Sequence, residues 1–221
     1  FTTSWYDDYF PEITCVAWSD DAILPPNQQY IFALHPHGIH CVALVEMQNK
    51  GSSFHRRFPG LFTPKLCGLA ATVIFKVPAA RELFFFWGYI DASRKCASEA
   101  LEKGQSLYFV VGGEEESMYT TRGRDIAVLT KRKGFVRLAL SHGAILVPVF
   151  SVGSTDMYQT YHFLYGLRMW LQKNLGVALP IFHGRWFTTL PYKVPIKVLI
   201  GQPIPTPIPK VRGAKPEEAL V

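Results

Sequence analysis

Two histidines flank a proline at residues 35–38, which read His-Pro-His-Gly. The apolar run at residues 30–34 is typical of a buried β-strand, so the motif begins where a strand ends. Pro36 fixes its own φ and the following glycine permits a tight turn, so the imidazoles are held in place. A histidine held in this way can act as a general base, because its pKa lies near neutral pH. We therefore expect His37 to be a base and His35 an orienting or structural histidine; the alternative is a packed, hydrogen-bonded loop without chemistry.

Other kinds of site have weaker support. His40 and Cys41 are residue types that bind zinc, but no second cluster has metal-ligand spacing, so we expect no metal. Ser151 lies in Val-Phe-Ser-Val-Gly, which lacks the first glycine of the Gly-x-Ser-x-Gly elbow of serine hydrolases. Gly-x-Gly-x-x-Gly and Walker patterns are absent, so we expect no nucleotide cofactor.

Length and composition indicate one domain over residues 1–221 with a sizeable core. Hydrophobic residues make up 48% of the chain, yet no run reaches the roughly 18 apolar residues of a membrane span. The net charge of +6 favours an anionic partner. No nucleic-acid-binding motif accompanies it, so the candidate partners are phospholipid headgroups or a phosphorylated cofactor; the alternative is the modest basic excess that is common in ordinary proteins. The four cysteines lack a C-x-x-C pair, as expected of reduced thiols.

Strand-like and helix-like segments alternate, which predicts an α/β sandwich around one sheet. We predict strands at residues 30–34, 73–77, 106–111, 145–152 and 197–200. Pro148 indicates that the fourth of these is an edge strand or contains a bulge. We predict helices at residues 97–103, closed by Gly104, and 134–142, closed by Gly143.

Two aromatic segments are ambiguous. Residues 83–90 are a core strand or a surface that contacts lipid, and residues 160–176 are a core helix or an interfacial one.

Several blocks, in order over nearly the whole chain, resemble those of type-2 diacylglycerol acyltransferases and their monoacylglycerol and wax-alcohol acyltransferase relatives. The blocks are His-Pro-His-Gly, Tyr-Phe-Pro at residues 9–11, Arg-Glu at 81–82 with Gly-Tyr-Ile-Asp-Ala-Ser-Arg at 88–94, Gly-Gly-Glu-Glu-Glu-Ser at 112–117, Arg-Lys-Gly-Phe-Val-Arg-Leu-Ala-Leu at 132–140, His-Gly-Ala at 142–144, Val-Pro-Val-Phe at 147–150 and Gly-Gln-Pro-Ile at 201–204.

The resemblance implies a glycerolipid acyltransferase-like domain with a mixed sheet flanked by helices. It implies transfer of a fatty acyl group from acyl-CoA to diacylglycerol, without an acyl-enzyme; monoacylglycerol and long-chain alcohols are alternative acceptors. It also implies work at the cytosolic face of the endoplasmic reticulum membrane or at lipid droplets. Members of the family usually carry a hydrophobic hairpin ahead of Tyr-Phe-Pro, so we expect the chain to be part of a longer protein.

The resemblance also assigns a carboxylate. Related glycerolipid acyltransferases orient the base with an aspartate five residues downstream, and here that position after His37 holds Val42. Glu116, the matching glutamate of Gly-Gly-x-x-Glu, is the candidate for that role or for a contact to the acceptor; the alternative is a solvated acidic loop.

Basic residues are candidates for the CoA diphosphate or for lipid headgroups. They are Arg94 after the second block, and Lys131, Arg132 and Lys133, which precede a predicted helix whose free N–H groups favour anions. The alternative for these cations is a solubilising basic turn. Two rival functions remain for the whole chain: a lipid-binding relative without turnover, and a hydrolase of acyl esters.

Overall fold

The structure of the protein is a computed structural model that describes residues 8–61, 65–130, 132–175 and 178–207. It contains nine β-strands in these residues. They are β1 (Ile13–Ala17), β2 (Tyr30–His35), β3 (Leu66–Ala70), β4 (Tyr89–Asp91), β5 (Ser106–Val110), β6 (Ile145–Val152), β7 (Gln159–Tyr161), β8 (Ile181–His183) and β9 (Ile196–Ile200). Seven of them form one mixed sheet in the order β1-β9-β6-β2-β5-β3-β4, while β7 and β8 form a separate antiparallel pair.

Strands β2 to β6 all run in one direction, whereas β9 is antiparallel to β6 and parallel to β1. The carboxyl ends of β2 to β6 therefore meet at one edge of the sheet, which we call the carboxyl edge. The expected mixed sheet flanked by helices is confirmed.

Helices cover both faces of the sheet. They are α1 (Val42–Gln48), α2 (Ser53–Arg57), α3 (Ala80–Phe86), α4 (Arg94–Glu102), α5 (Gly113–Tyr119), α6 (Gly134–His142) and α7 (Tyr165–Leu175). Within the described residues, no helix combines the length and the apolar character needed to cross a bilayer.

Strand β2 lies at the centre of the core, and all six of its residues are buried. Alternate side chains point to opposite faces of a strand. Phe32 therefore packs in the cluster that contains Phe54 of α2, and Ile31 packs in the cluster that contains Leu101 of α4. Burial on both faces explains the continuous apolar run, and it holds His35, the last residue of β2, in a rigid position.

The central sequence predictions are confirmed. Strands were expected at four of the observed positions, β2, β5, β6 and β9, and each agrees within one residue. Helix α6 has the predicted bounds and ends at Gly143, whose φ of 67° needs glycine. Helix α4 was also expected, but it begins at Arg94, three residues earlier than predicted.

The strand predicted at residues 73–77 is wrong. The segment forms a 3-10 turn at Ile74–Lys76, in which Val77 N donates to Ile74 O at 3.2 Å. The run is short and lacks a neighbouring strand, so the turn bonds satisfy its backbone.

The two aromatic segments also fold differently from a single strand or a single helix. Residues 83–90 are divided between α3 and β4, with Gly88 at a φ of 81° between them. Residues 160–176 begin in β7, and the helix starts only at Tyr165, after Leu164 with a φ of 50°.

Strand β6 is an internal strand, so the edge position inferred from Pro148 is wrong. Leu146 exchanges both backbone hydrogen bonds with Ile204 on the β9 side. Backbone N–H groups two residues apart in a strand point to the same side. The position where Pro148 lacks an N–H therefore faces the β9 side, as the Leu146 N–H does. There the chain leaves β9 through Gly201, which donates to Pro148 O at 2.8 Å.

Candidate active site

The candidate residues meet at the carboxyl edge because β2 and β5 are parallel neighbours, with Leu34 opposite Val110. His35 is the last residue of β2, and Glu116 lies in α5, shortly after β5 ends. Glu116 thus occupies the first turn of a helix rather than a loop, and its side chain is 0% exposed. The alternative of a solvated acidic loop is therefore wrong for Glu116.

The Glu116 carboxylate accepts three hydrogen bonds. Oε1 lies 3.2 Å from His35 Nδ1 and 2.7 Å from the amide nitrogen of Val128, and Oε2 lies 2.7 Å from the amide nitrogen of His37. Glu116 therefore orients the ring of His35 and the backbone of His37, but its carboxylate does not bond the His37 ring. One buried charge connects β2, the histidine turn and the segment before α6.

The His37 imidazole is held by its own turn. His37 is half-buried, and its Nδ1 lies 2.9 Å from Gly38 O. A carbonyl oxygen can only accept, so Nδ1 carries the proton and Nε2 carries the lone pair. This tautomer is the one that a base acting through Nε2 requires.

His35 has the same tautomer in a more enclosed place. It is 6% exposed, and its Nδ1 faces Glu116. Of the side-chain nitrogens in the described residues, His35 Nε2 is among those that are buried without a hydrogen-bond partner.

The local electrostatics keep Glu116 ionised. Burial raises its pKa, but the hydrogen bonds from His35, Val128 and His37 outweigh burial, so the net pKa lies below the ordinary value of 4.5. Desolvation, and secondarily the nearby His37, lowers the pKa of His40. Burial raises the pKa of the Cys41 thiol to about 12. Among the described residues, no three His, Cys, Asp or Glu side chains converge as metal ligands do.

Gly112 belongs to the site although sequence reasoning did not select it. A β-carbon at this position would overlap the Glu116 carboxylate. The glycine pair before the glutamates was the available signal, because glycine permits close approach of another group to the backbone.

The Gly112→Ala variant should therefore displace the Glu116 carboxylate and lower both activity and stability. Overpacking of this kind destabilises by about 1–3 kcal/mol. Gly134→Ala is the matched control, because Gly134 begins α6 with nothing within 4 Å of an added β-carbon. Thermal melts and turnover of both variants test this, and equal, small effects would contradict it.

The attachment of residues 123–128 to the site was also not predicted from the sequence. The amide of Gly123 donates to Asp156 Oδ1 at 2.9 Å, and Thr155 Oγ1 donates to Asp125 Oδ1 at 2.7 Å. Together with the Val128 amide, these bonds tie residues 123–128 to the carboxyl edge. Nothing in the local sequence pattern specifies these long-range partners.

The candidate phosphate-binding cations lie in different environments. Arg132 Nη2 donates to Glu115 Oε2 at 2.9 Å and to Gly112 O at 3.1 Å, so Arg132 braces the start of α5. Arg94 at the start of α4 and Lys133 before α6 are exposed. Both helices run back to the next strand of the sheet, which places their N-termini towards the carboxyl edge. Lys131 lies outside the described residues.

With the acyl-CoA substrate that the sequence resemblance implies, we expect Arg94→Ala and Lys133→Ala to raise its KM by a few-fold while leaving KM for the acceptor unchanged. An exposed cation that contacts a phosphate contributes about 1 kcal/mol, enough for such a change. Steady-state kinetics with each substrate varied in turn provides the measurement. Equal increases in both KM values would indicate a folding or membrane defect instead.

Comparison with known proteins gives a consistent result. A family model described as diacylglycerol acyltransferase matches residues 1–218. The chain is 38% identical over 215 residues to 2-acylglycerol O-acyltransferase 3 of Homo sapiens, covering 90% of this chain and 61% of the relative. It is 32% identical over 226 residues to diacylglycerol O-acyltransferase 2B of Umbelopsis ramanniana, covering 96% and 63%. It is 34% identical over 232 residues to acyl-CoA wax alcohol acyltransferase 2 of Mus musculus, covering 98% and 66%.

The chain thus spans 61% to 66% of the length of these three relatives. No solved structure matches it. The matched family model covers both parts of the site, the histidine turn and the glutamate of α5. The chain belongs to the diacylglycerol acyltransferase family.

Proposed function

We propose that the protein transfers a fatty acyl group from acyl-CoA to the free hydroxyl of diacylglycerol, forming triacylglycerol. Family membership supports the reaction class. The observation that carries the chemistry is the buried Glu116 carboxylate, which bonds both the His35 ring and the His37 amide. This arrangement fixes a histidine turn at the carboxyl edge, beside a partly exposed imidazole.

In the proposed mechanism, His37 Nε2 takes the proton of the acceptor hydroxyl. The acceptor oxygen attacks the thioester carbonyl carbon, the C–S bond breaks, and the imidazolium returns its proton to the departing CoA sulfur. Glu116 acts as a positioning residue because it holds the backbone of the turn rather than the reacting ring. The fixed Nδ1–H···O=C bond to Gly38 keeps the tautomer correct before the substrate binds.

Direct transfer, without an acyl-enzyme, is supported by the nearby nucleophiles. A thiolate is needed for attack by cysteine, and the Cys41 thiol stays protonated at neutral pH because its pKa is about 12. Ser151 is 0% exposed and hydrogen-bonded to Ser154. Neither residue is presented to a substrate.

A second candidate for the base is His35, favoured by its Nδ1 contact to Glu116. In a carboxylate–imidazole pair of this kind, the carboxylate holds the proton on Nδ1 and leaves the lone pair on Nε2. His37 remains the first choice because His35 Nε2 is buried, and the acceptor hydroxyl must come within hydrogen-bond distance of the base.

We also propose that the protein works on a membrane surface, at the cytosolic face of the endoplasmic reticulum or on lipid droplets. Both substrates carry long acyl chains that partition into lipid, and the net charge of +6 favours anionic headgroups.

A panel of acceptors with labelled acyl-CoA tests the proposed reaction. The proposal expects labelled ester with diacylglycerol. Labelled ester only with monoacylglycerol or with a long-chain alcohol would identify that compound as the acceptor instead. Labelled free acid would indicate a hydrolase, and binding without any product would indicate a lipid-binding protein.

A further inference from the structure

The segment between β6 and β9, residues 153–195, lies at the carboxyl edge and is described over residues 153–175 and 178–195. Strand β6 ends at this edge, and β9 begins there because it is antiparallel to β6. The segment contains β7, α7, β8 and a 3-10 turn at Arg185–Phe187. We call it the edge insertion.

The edge insertion borders the histidine turn. A β-carbon on Gly38 would lie 3.5 Å from the carbonyl oxygen of Ser154, at the start of the insertion. Within the insertion, the amide of Tyr192 donates to Met157 O at 2.8 Å. These contacts connect its outer loop to the residues beside the site.

Large apolar side chains are exposed over much of the edge insertion. Trp186 is 72% exposed and Phe187 is 83% exposed. Among the described residues of the insertion, the other exposed large apolar side chains are Tyr161, Phe163, Leu164, Leu167, Trp170, Leu179, Ile181 and Leu190. So many exposed large apolar side chains within one segment are typical of an interaction surface.

The backbone is strained where these side chains are presented. Trp186 and Phe187 have φ values of 54° and 58°, and Leu164 has a φ of 50°. Positive φ is a genuine outlier for bulky residues and persists only when the surroundings impose it. Here Gly184 N donates to Thr188 O and Arg185 N donates to Leu190 O, both at 2.7 Å. The loop therefore presents two aromatic rings to solvent in a fixed conformation.

The charge around the patch is basic. Residues 153–195 contain one acidic residue, Asp156, and four Lys or Arg residues, of which Arg168 is buried. The Arg185 guanidinium lies 4.3 Å from the ring centroid of Trp186, and the Lys193 ammonium lies 5.0 Å from that of Tyr9. Aromatic rings beside cations are the composition of lipid-interface anchors, in which the ring enters the headgroup layer and the cation meets a phosphate.

We propose that the edge insertion is a binding surface for anionic lipid, with Trp186 and Phe187 as the residues that insert. A lipid surface is favoured over a protein partner because aromatic rings of this region lie beside cations, and the segment contains a single acidic residue, Asp156. The surface would present the histidine turn to acceptors embedded in the lipid. This role rests on the proposed function. This surface is separate from the exposed aromatic face of α3. Helix α3 precedes β4, which is the edge strand at the opposite end of the sheet from β1 and β9.

Vesicle flotation of a Trp186→Gly/Phe187→Gly variant tests this surface. Vesicles of phosphatidylcholine, with and without phosphatidylserine, are used without substrate. We expect the variant to partition at least roughly tenfold more weakly than the unchanged protein, because two aromatic side chains no longer enter the lipid. Its Tm should be unchanged or higher, since glycine adopts positive φ without a steric penalty. Loss of binding would then not result from unfolding.

Phe85→Ala/Phe86→Ala on α3 is the matched control and should keep most of the partitioning. Unchanged flotation of the Trp186→Gly/Phe187→Gly variant would overturn the proposal, as would a change from oligomer to monomer in gel filtration, which would identify the patch as a protein interface. Flotation that depends on Trp186 and Phe187 in a protein without acyl transfer would support the surface and refute the proposed function.

Discussion

His37→Ala should lower kcat by about 10²–10⁴-fold, the range typical of a positioned general base, while the fold survives. The His37 side chain is partly exposed, so its removal leaves no large cavity. The loss should fall on kcat more than on KM for acyl-CoA, because proton transfer occurs in the transition state. Steady-state kinetics combined with a thermal melt provides the measurement.

His35→Ala is the control for this prediction. It removes one of the hydrogen bonds to the buried Glu116 carboxylate, so it should destabilise the protein by about 1–3 kcal/mol as well as lower activity. If His37→Ala turns over normally while His35→Ala keeps its Tm and loses turnover, His35 is the base.

Glu116→Gln should lower kcat by about 10²-fold and also destabilise the protein. The carboxylate meets three donors, from His35 and from the amides of His37 and Val128. The amide group of glutamine must turn its own donors towards at least one of them, which leaves a buried donor unsatisfied, at about 1–3 kcal/mol. Displacement of the histidine turn by about 1 Å is enough for the expected loss of rate. Kinetics and chemical denaturation measure both effects.

Glu114→Gln and Glu115→Gln are matched controls, since both side chains are only half-buried. Glu115→Gln weakens the ion pair with Arg132, and we expect a smaller effect than at position 116. Three similar, small effects would show that the buried carboxylate has no special role.

The pH dependence of stability gives a second readout for Glu116. Its pKa is lower in the folded protein than the ordinary value of 4.5, so ionised Glu116 stabilises the fold above that value. That stabilisation is lost as the pH falls below 4.5 and through the folded pKa. The stability difference between the unchanged protein and Glu116→Gln should therefore shrink in acid; a constant difference would contradict the lowered pKa.

The parts of the fold that depend on local pattern were predictable from sequence. The apolar run of β2, and Gly143 as the end of α6, are signals within a few residues of the elements that they specify. Strands β1, β3, β4, β7 and β8 were missed; the last three have only three residues each, too few to show a periodic pattern. The 3-10 turn at Ile74–Lys76 has strand-like composition, so only the absence of a neighbouring strand decides its structure.

The candidate site was predictable in its residues but not in its connections. His35, His37 and Glu116 were all selected from sequence, yet the bond of Glu116 to the His35 ring depends on the pairing of β2 with β5. Arg132 was assigned to phosphate binding because it precedes a helix. Its contacts with Glu115 and Gly112 join positions 17 and 20 residues apart, which no local pattern encodes.

Product analysis after a single turnover tests the central claim, direct acyl transfer with His37 as base, most directly. Enzyme in excess is mixed with labelled acyl-CoA, with and without diacylglycerol, and the reaction is quenched at successive times. The account predicts labelled triacylglycerol only when the acceptor is present, no label on the protein, and an ester-forming step slowed by about 10²–10⁴-fold in His37→Ala. Label on the protein before ester forms, or ester formation at the same rate without His37, would contradict it.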